Sequence, residues 1–270
     1  MTFDAVERSR DGRRPVEIYT FARDYQQWRY TSADRDVVVD SQTYVARSIA
    51  RTAIEATGEM ARLGLTLTVQ RDLEVADLFR IAPPAAAVTC VVRQYHDGDG
   101  SLATIWSGRI SSVSWQGAAA SIALEPVYTS LRRVGLRRMY QRQCPHVLYG
   151  SACKVNSAAF RVDGPADAIS GLDVSVSEAS LLADGWFSGG FLEYDVALGI
   201  AERRFITGHV GATISLSAAP YALAVGQNVR LFPGCDHALA TCDGKFSNAI
   251  NYGGMPYFTQ KNPFGGEPIF

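Results

Sequence analysis

Between Cys153 and Cys235 the chain runs through roughly eighty residues that read almost wholly as strand and turn, including "GLDVSVSEASLLADGWFSGGFLEYDVALGIAERRFITGHVGATISL". Valine, isoleucine and aromatic residues recur in short runs broken by glycine, as in an antiparallel meander. The stretch is bracketed by two cysteine pairs, Cys144 and Cys153 in "CPHVLYGSACKVN", and Cys235 and Cys242 in "GCDHALATCDGKF". A small β-barrel's worth of chain between two such pairs reads as an insertion, about 160–233, whose ends bring the pairs together.

The first half is also strand-rich. "VEIYTFARDYQQWRYTS", "VVVDSQTYVA", "LTLTVQ" and "AAVTCVVRQYHD" carry β-branched and aromatic residues, in places alternating. "LATIWSGRISSVSWQG" followed by "AASIALEPV" continues the meander after a "GDG" turn. This pattern favours an antiparallel barrel or sandwich over a parallel α/β sheet. "DLEVADLFRIAPP" predicts a short connector helix with Asp72 as N-cap and Pro83-Pro84 as its stop, whereas "ARSIARTAIEATGEMARL" fits neither period.

With 26 basic and 27 acidic side chains in 270 residues, no global field recruits nucleic acid or an anionic membrane. No apolar run reaches the ~20 residues of a membrane-spanning helix, and "MTFDAVERSRDGRRP" lacks the apolar core of an export signal. The expectation is a chain made in the cytoplasm, in which five cysteines remain reduced, packed or metal-bound. Cys90, alternating with valines, reads as a core residue.

The other four cysteines leave several chemistries open. Their spacings of nine and seven positions are longer than the tight knuckle of most structural zinc sites, while an iron–sulfur cluster accepts more widely separated thiolates. His146 in "CPH" and His237 in "CDH" allow a mixed Cys/His zinc site, and each is equally an ordinary loop-orienting residue. Four buried thiols with no ligand remain a third reading. A Cys/His hydrolase would need a catalytic signature that is not apparent, and "GCDHALATCDGKFSN" lacks the alternating acids of a calcium loop. The arginines of "LRRVGLRRMYQR", Arg132 to Arg142, form either a solvated face or a counter-charge for thiolates.

The segments "WRYTSADRDV", "LFRIAPP", "EPVYTSLRRVGLRRMYQRQCPHVLYGSACKVN" and "FPGCDHALATCDGKFSNAINYGGMPYFTQKNPFGGEPIF" together resemble the phage tail proteins of the BR0599 family, relatives of the gene transfer agent hub protein. The resemblance implies a mainly β, non-enzymatic baseplate hub or tail-tip protein that closes the distal tail tube of long, flexible-tailed phages. It implies a tube-like β-barrel hub domain (1–130) followed by a cysteine-rich C-terminal domain (131–270) carrying the inserted barrel. In the similar tail-tip proteins four cysteines hold a 4Fe-4S cluster, and the matching positions here are Cys144, Cys153, Cys235 and Cys242. Implied partners are further copies in a ring of three, the distal tail protein, other baseplate components and the tape measure protein. The implied location is the virion, after assembly in the host cytoplasm, with no specific nucleic-acid binding. The alternatives kept alongside are a zinc-binding structural adaptor and a cell-wall cysteine peptidase. The aromatic tail "NPFGGEPIF" is expected to pack on a neighbouring subunit.

Overall fold

The computed structural model describes residues 15–54, 64–96, 102–132, 135, 139–197 and 200–257. The chain is mainly β and divides into two compact units, 1–133 and 134–270.

In the first unit nine strands form one sheet: β1 (Val16–Arg23), β2 (Gln26–Thr31), β3 (Val37–Val39), β4 (Gln42–Ala46), β5 (Ile49–Arg51), β6 (Leu65–Gln70), β7 (Thr89–Tyr95), β8 (Leu102–Gln116) and β9 (Ala119–Pro126). Their order is β3-β4-β2-β1-β7-β8-β9-β6-β5, antiparallel except for the parallel pair β2·β4. This order alone dictates curvature. β4 and β5 lie at or next to opposite ends of the sheet, which in a flat sheet of ~4.8 Å spacing would be more than about 30 Å apart. Only Arg47 and Ser48 connect them, a reach of roughly 10 Å. The sheet therefore curls into a half-barrel that brings the end of β4 to the start of β5. Arg51 on β5 accordingly reaches Glu17 on β1, with Nε at 3.0 and 2.9 Å from the two carboxylate oxygens.

Alternation places Leu65, Leu67 and Val69 of β6, Cys90 and Val92 of β7, and Ala120, Ile122 and Leu124 of β9 inside the curl. Cys90 is fully buried, and burial pushes its thiol well above the usual range. Helix α1 (Glu74–Asp77) differs from expectation in two ways. Its N-cap is Leu73, with no side-chain cap bond, and Leu73, Val75 and Ala76 all join the barrel core. Burying Leu73 at the helix entrance outweighs the cap bond Asp72 offered, so α1 acts as an internal plug rather than a surface connector.

The second unit contains β10 (Val162–Pro165), β11 (Ala168–Ser170), β12 (Asp173–Ser175), β13 (Phe191–Ala197), β14 (Ile200–Val210), β15 (Thr213–Leu216) and β16 (Asn228–Phe232). The order β10-β16-β13-β14-β15-β12-β11 is wholly antiparallel. Its two edge strands, β10 and β11, are joined by Ala166 and Asp167 alone, so this sheet also curls into a barrel-like wrap. Phe187, Leu192, Tyr194, Ile206, Ile214 and Leu231 fill it. The first and last strands are direct neighbours, with Val162 opposite Leu231 and Pro165 opposite Asn228. The flanking chain, 139–161 and 233–257, lies before and after this module and includes helix α2 (Leu239–Phe246).

Among the described residues no helix is long and apolar enough to cross a membrane. The "GDG" turn, most of the "TAIEATGEMARL" segment, Arg133, Arg137, Arg138, the side chain of Arg132 and the "NPFGGEPIF" tail lie outside the described residues.

Candidate functional site: a four-cysteine cavity

Because β10 and β16 are paired, the segment before β10 and the segment after β16 leave the module side by side. Cys153 lies shortly before that exit and Cys235 shortly after it. Further bonds draw the two segments together. The Cys144 N–H donates to His237 O at 2.9 Å, and the Tyr149 hydroxyl donates to Pro233 O at 2.7 Å. The Tyr149 ring stands edge-on to Phe191, Phe232 and Phe246.

The result is a single cavity lined by Cys144, Cys153, Cys235 and Cys242, with His146, His237 and Asn248 in the same wall. Cys153 and Cys242 are buried, Cys144 and Cys235 partly so, and all four are free thiols. The structure thus brings together every cysteine singled out in the sequence except Cys90, which sits in the other unit's core.

Hydrogen bonds converge on the sulfurs. The His237 N–H points at Cys235 Sγ (3.3 Å), the Gly253 N–H at Cys144 Sγ (3.4 Å) and the Asn248 Nδ2 at Cys153 Sγ (3.8 Å). Burial pushes the Cys235 thiol up, and Cys242 is pushed up to about 11 by burial and by the other three cysteines. N–H groups aimed at sulfur would stabilise thiolate once an ion replaced the thiol protons.

Asn248 ties the two halves together, a role not foreseen from sequence. Its Nδ2 donates to Cys153 O at 2.7 Å, its backbone N–H donates to Cys242 O, and its own carbonyl accepts from Cys242 Sγ at 3.4 Å. It is placed by the end of α2, where Ser247 adopts a left-handed conformation (φ 48°) and its N–H bonds Asp243 O. Tyr149 (φ 61°), Lys154 (φ 61°) and His237 (φ 65°) are left-handed too. Four non-glycine residues in this region of backbone space, all beside one cavity, are the kind of strain that clusters at ligand clamps.

His146 packs its ring flat on Gly253, where a Cβ would come within 2.5 Å, and places Nδ1 3.1 Å from Asn251 O. His237 contributes mainly backbone, since its carbonyl also accepts from the Tyr252 hydroxyl. Among the described residues, no three His, Cys, Asp or Glu side chains are grouped closely enough to hold one metal ion. Arg142 directs its Nε to Pro256 O. Among the described residues, a cation beside the cysteines is Lys245 on α2, whose Nζ bonds the carbonyl of Gly234, next to Cys235.

Comparison with known proteins agrees with this architecture. Residues 17–156 match the family described as baseplate hub protein, N-terminal attachment domain, and residues 185–262 match the family described as phage conserved hypothetical protein BR0599. An uncharacterized protein of Xylella fastidiosa (strain 9a5c) is 26% identical over 179 residues, a match spanning 61% of this chain and 37% of that relative. The fold is similar to a chain of the virion of native gene transfer agent (GTA) particle, with a TM-score of 0.78 at 20% identity, covering 100% of this chain and 99% of the other. The chain belongs to the baseplate hub protein family and is a structural, virion-associated protein of a phage-type tail.

Proposed function

We propose that the chain is a tail-tip hub component that closes the distal tail tube, and that Cys144, Cys153, Cys235 and Cys242 hold a 4Fe-4S cluster that staples its C-terminal unit. The observation that carries the cofactor is the convergence of four free thiols, from segments on either side of a β-module, on one cavity. The cluster would supply metal–thiolate bonds, and thereby folding free energy, to a region otherwise held by loops. The chain's own residues prepare for it: three N–H groups face sulfur, Asn248 fixes Cys153 relative to Cys242, and apolar Leu148, Val155 and Phe246 limit water at the cavity wall.

Ligand spacing favours a cluster over one zinc: separations of nine and seven positions exceed the tight knuckle of most zinc sites, whereas a cluster accepts more widely separated thiolates. A cysteine peptidase would need a nucleophile of lowered pKa, and burial pushes Cys235 and Cys242 the other way.

The partners proposed are further copies of this chain in a ring of three, the distal tail protein and other tail-tip components. Anaerobic purification with iron, sulfide and zinc analysis tests the cofactor. About four irons and four sulfides per chain, lost when Cys144→Ser and Cys242→Ser are combined, are expected. One zinc and no sulfide would replace the cluster with the structural zinc reading.

A further inference from the structure

Lys245 sits in the last turn of α2, half-buried, in surroundings unusually complete for a single ammonium. Its Nζ donates to Gly234 O at 2.8 Å and to Trp186 O, and lies 4.5 Å from the Trp186 ring centroid and 5.4 Å from that of Phe246. Gly234 directly precedes Cys235. Trp186 belongs to the turn that leads into β13, where the Trp186 N–H donates to Ala183 O and the Ser188 N–H to Gly185 O. The two carbonyls thus come from the exit of the module and from a turn inside it, while the lysine comes from the helix that carries Cys242.

We infer that Lys245 is a positioning residue of the cysteine site: it straps the Gly234-Cys235 loop and the Trp186 turn to the Cys242 helix and sets a fixed positive charge beside the thiolates.

Three physical points carry this. A half-buried ammonium is costly unless its protons are used, and here two carbonyls and an aromatic face use them. The carbonyls cannot drift to other partners, because Gly234 is wedged against the turn so tightly that a Cβ would lie 1.9 Å from Ser188 O. The charge also lies beside the site, since Nζ bonds the carbonyl of Gly234, the residue directly before Cys235; burial lowers the ammonium pKa, and Cys235 and Asp236 offset part of that. Of the run from Arg132 to Arg142, which sequence alone offered as counter-charge, the one arginine whose side chain lies among the described residues, Arg142, directs its Nε to the carbonyl of Pro256. The strap holds whatever ion the thiols bind; the charge role rests on the cluster reading above.

The test uses the full chain, reduced and stripped of metal, as wild type, Lys245→Met and Lys245→Arg. Hydrogen exchange is followed in segments 185–190 and 234–238, with β15 as the reference within the same unit. Losing charge-assisted bonds to two carbonyls should raise exchange in both segments about tenfold or more in Lys245→Met, with β15 unchanged and Lys245→Arg close to wild type. No change in Lys245→Met, an equal rise in β15, or an equal rise in both variants overturns the strap. On reloaded protein containing iron, the midpoint reduction potential should move to more negative values in Lys245→Met but not in Lys245→Arg, because the added electron loses a nearby cation. An unchanged potential overturns the charge role. Reloading with zinc alone would refute the cluster reading and the charge role together, while the exchange result still decides the strap.

Discussion

Asn248 is the point at which the cysteine site should break most informatively. The side chain is 8% exposed and donates to Cys153 O at 2.7 Å, while its Oδ1 accepts from Asn251 Nδ2 at 2.6 Å. Asn248→Ala removes the donor and strands a buried carbonyl, at a cost of about 1–3 kcal/mol, and frees a partly exposed amide at little cost. Asn248→Asp keeps the shape and the acceptor but turns a carboxylate oxygen toward the Cys153 carbonyl. That substitution should cost more than alanine, about 3–5 kcal/mol if the acid stays ionised. The loss is local, so the assay is alkylation of individual cysteines read by mass spectrometry on reduced, metal-free protein. Cys153 and Cys242 report on the site and Cys90 on the other unit. At about 2 kcal/mol, labelling of Cys153 should accelerate roughly 30-fold in Asn248→Ala, further in Asn248→Asp, and not at all at Cys90. If aspartate proves milder than alanine, or Cys153 labelling changes less than about threefold, the bridging role argued for Asn248 is wrong.

Three further outcomes follow from the same geometry. Gly234→Ala should abolish folding of the C-terminal unit, because its Cβ meets Ser188 O at 1.9 Å, whereas Gly211→Ala, left-handed but in open space, should cost only about 1 kcal/mol; circular dichroism and soluble yield separate them. Metal loading should weaken as pH falls, since ligation must displace protons from thiols whose pKa is raised at Cys235 and Cys242; equilibrium competition with a chelator at several pH values measures it. Asp195, held below its usual range chiefly by hydrogen bonds from Arg230 (2.8 and 2.7 Å), should contribute stability above its unfolded pKa that is lost as pH falls through the lower folded value. Because Asp195 is largely exposed, the effect should be below about 1 kcal/mol and fade with salt, as acid titrations of wild type and Asp195→Asn at two ionic strengths would show.

Strand identity was legible wherever one face is buried. Leu65, Leu67 and Val69 alternate with threonine and glutamine because β6 has an inside and an outside, and Cys90 announced its burial by alternating with valine. The gathering of the four cysteines could be anticipated because β-modules tend to begin and end at neighbouring points. What could not be read were contacts made by single side chains across large sequence separations. Nothing local tells that Tyr149 bonds Pro233 or that Lys245 reaches Trp186. Asn248 offered a faint signal, since Ser-Asn directly after a helical run is a left-handed helix stop. The parallel pairing of β2 with β4, and the choice of Leu73 over Asp72 at the entrance to α1, depend on a core that exists only after the sheet has curled.

The pairing of β10 with β16 also changes how the proposed staple would work. Closing a loop of roughly 80 residues between Cys153 and Cys235 costs on the order of 4 kcal/mol of chain entropy. If the thiolates closed it, metal binding would have to offset that cost. The structure assigns the closure to the module itself: Val162 to Pro165 lie against Asn228 to Leu231, and the barrel core sits behind them. The module's ends are then held by strand pairing, and ligation would stabilise mainly 139–160 and 233–257. Removing the metal should therefore raise hydrogen exchange in those flanking segments while β10 and β16 stay protected. Simultaneous loss of protection in β10 and β16 would show that the metal closes the module, with the strand pairing its consequence.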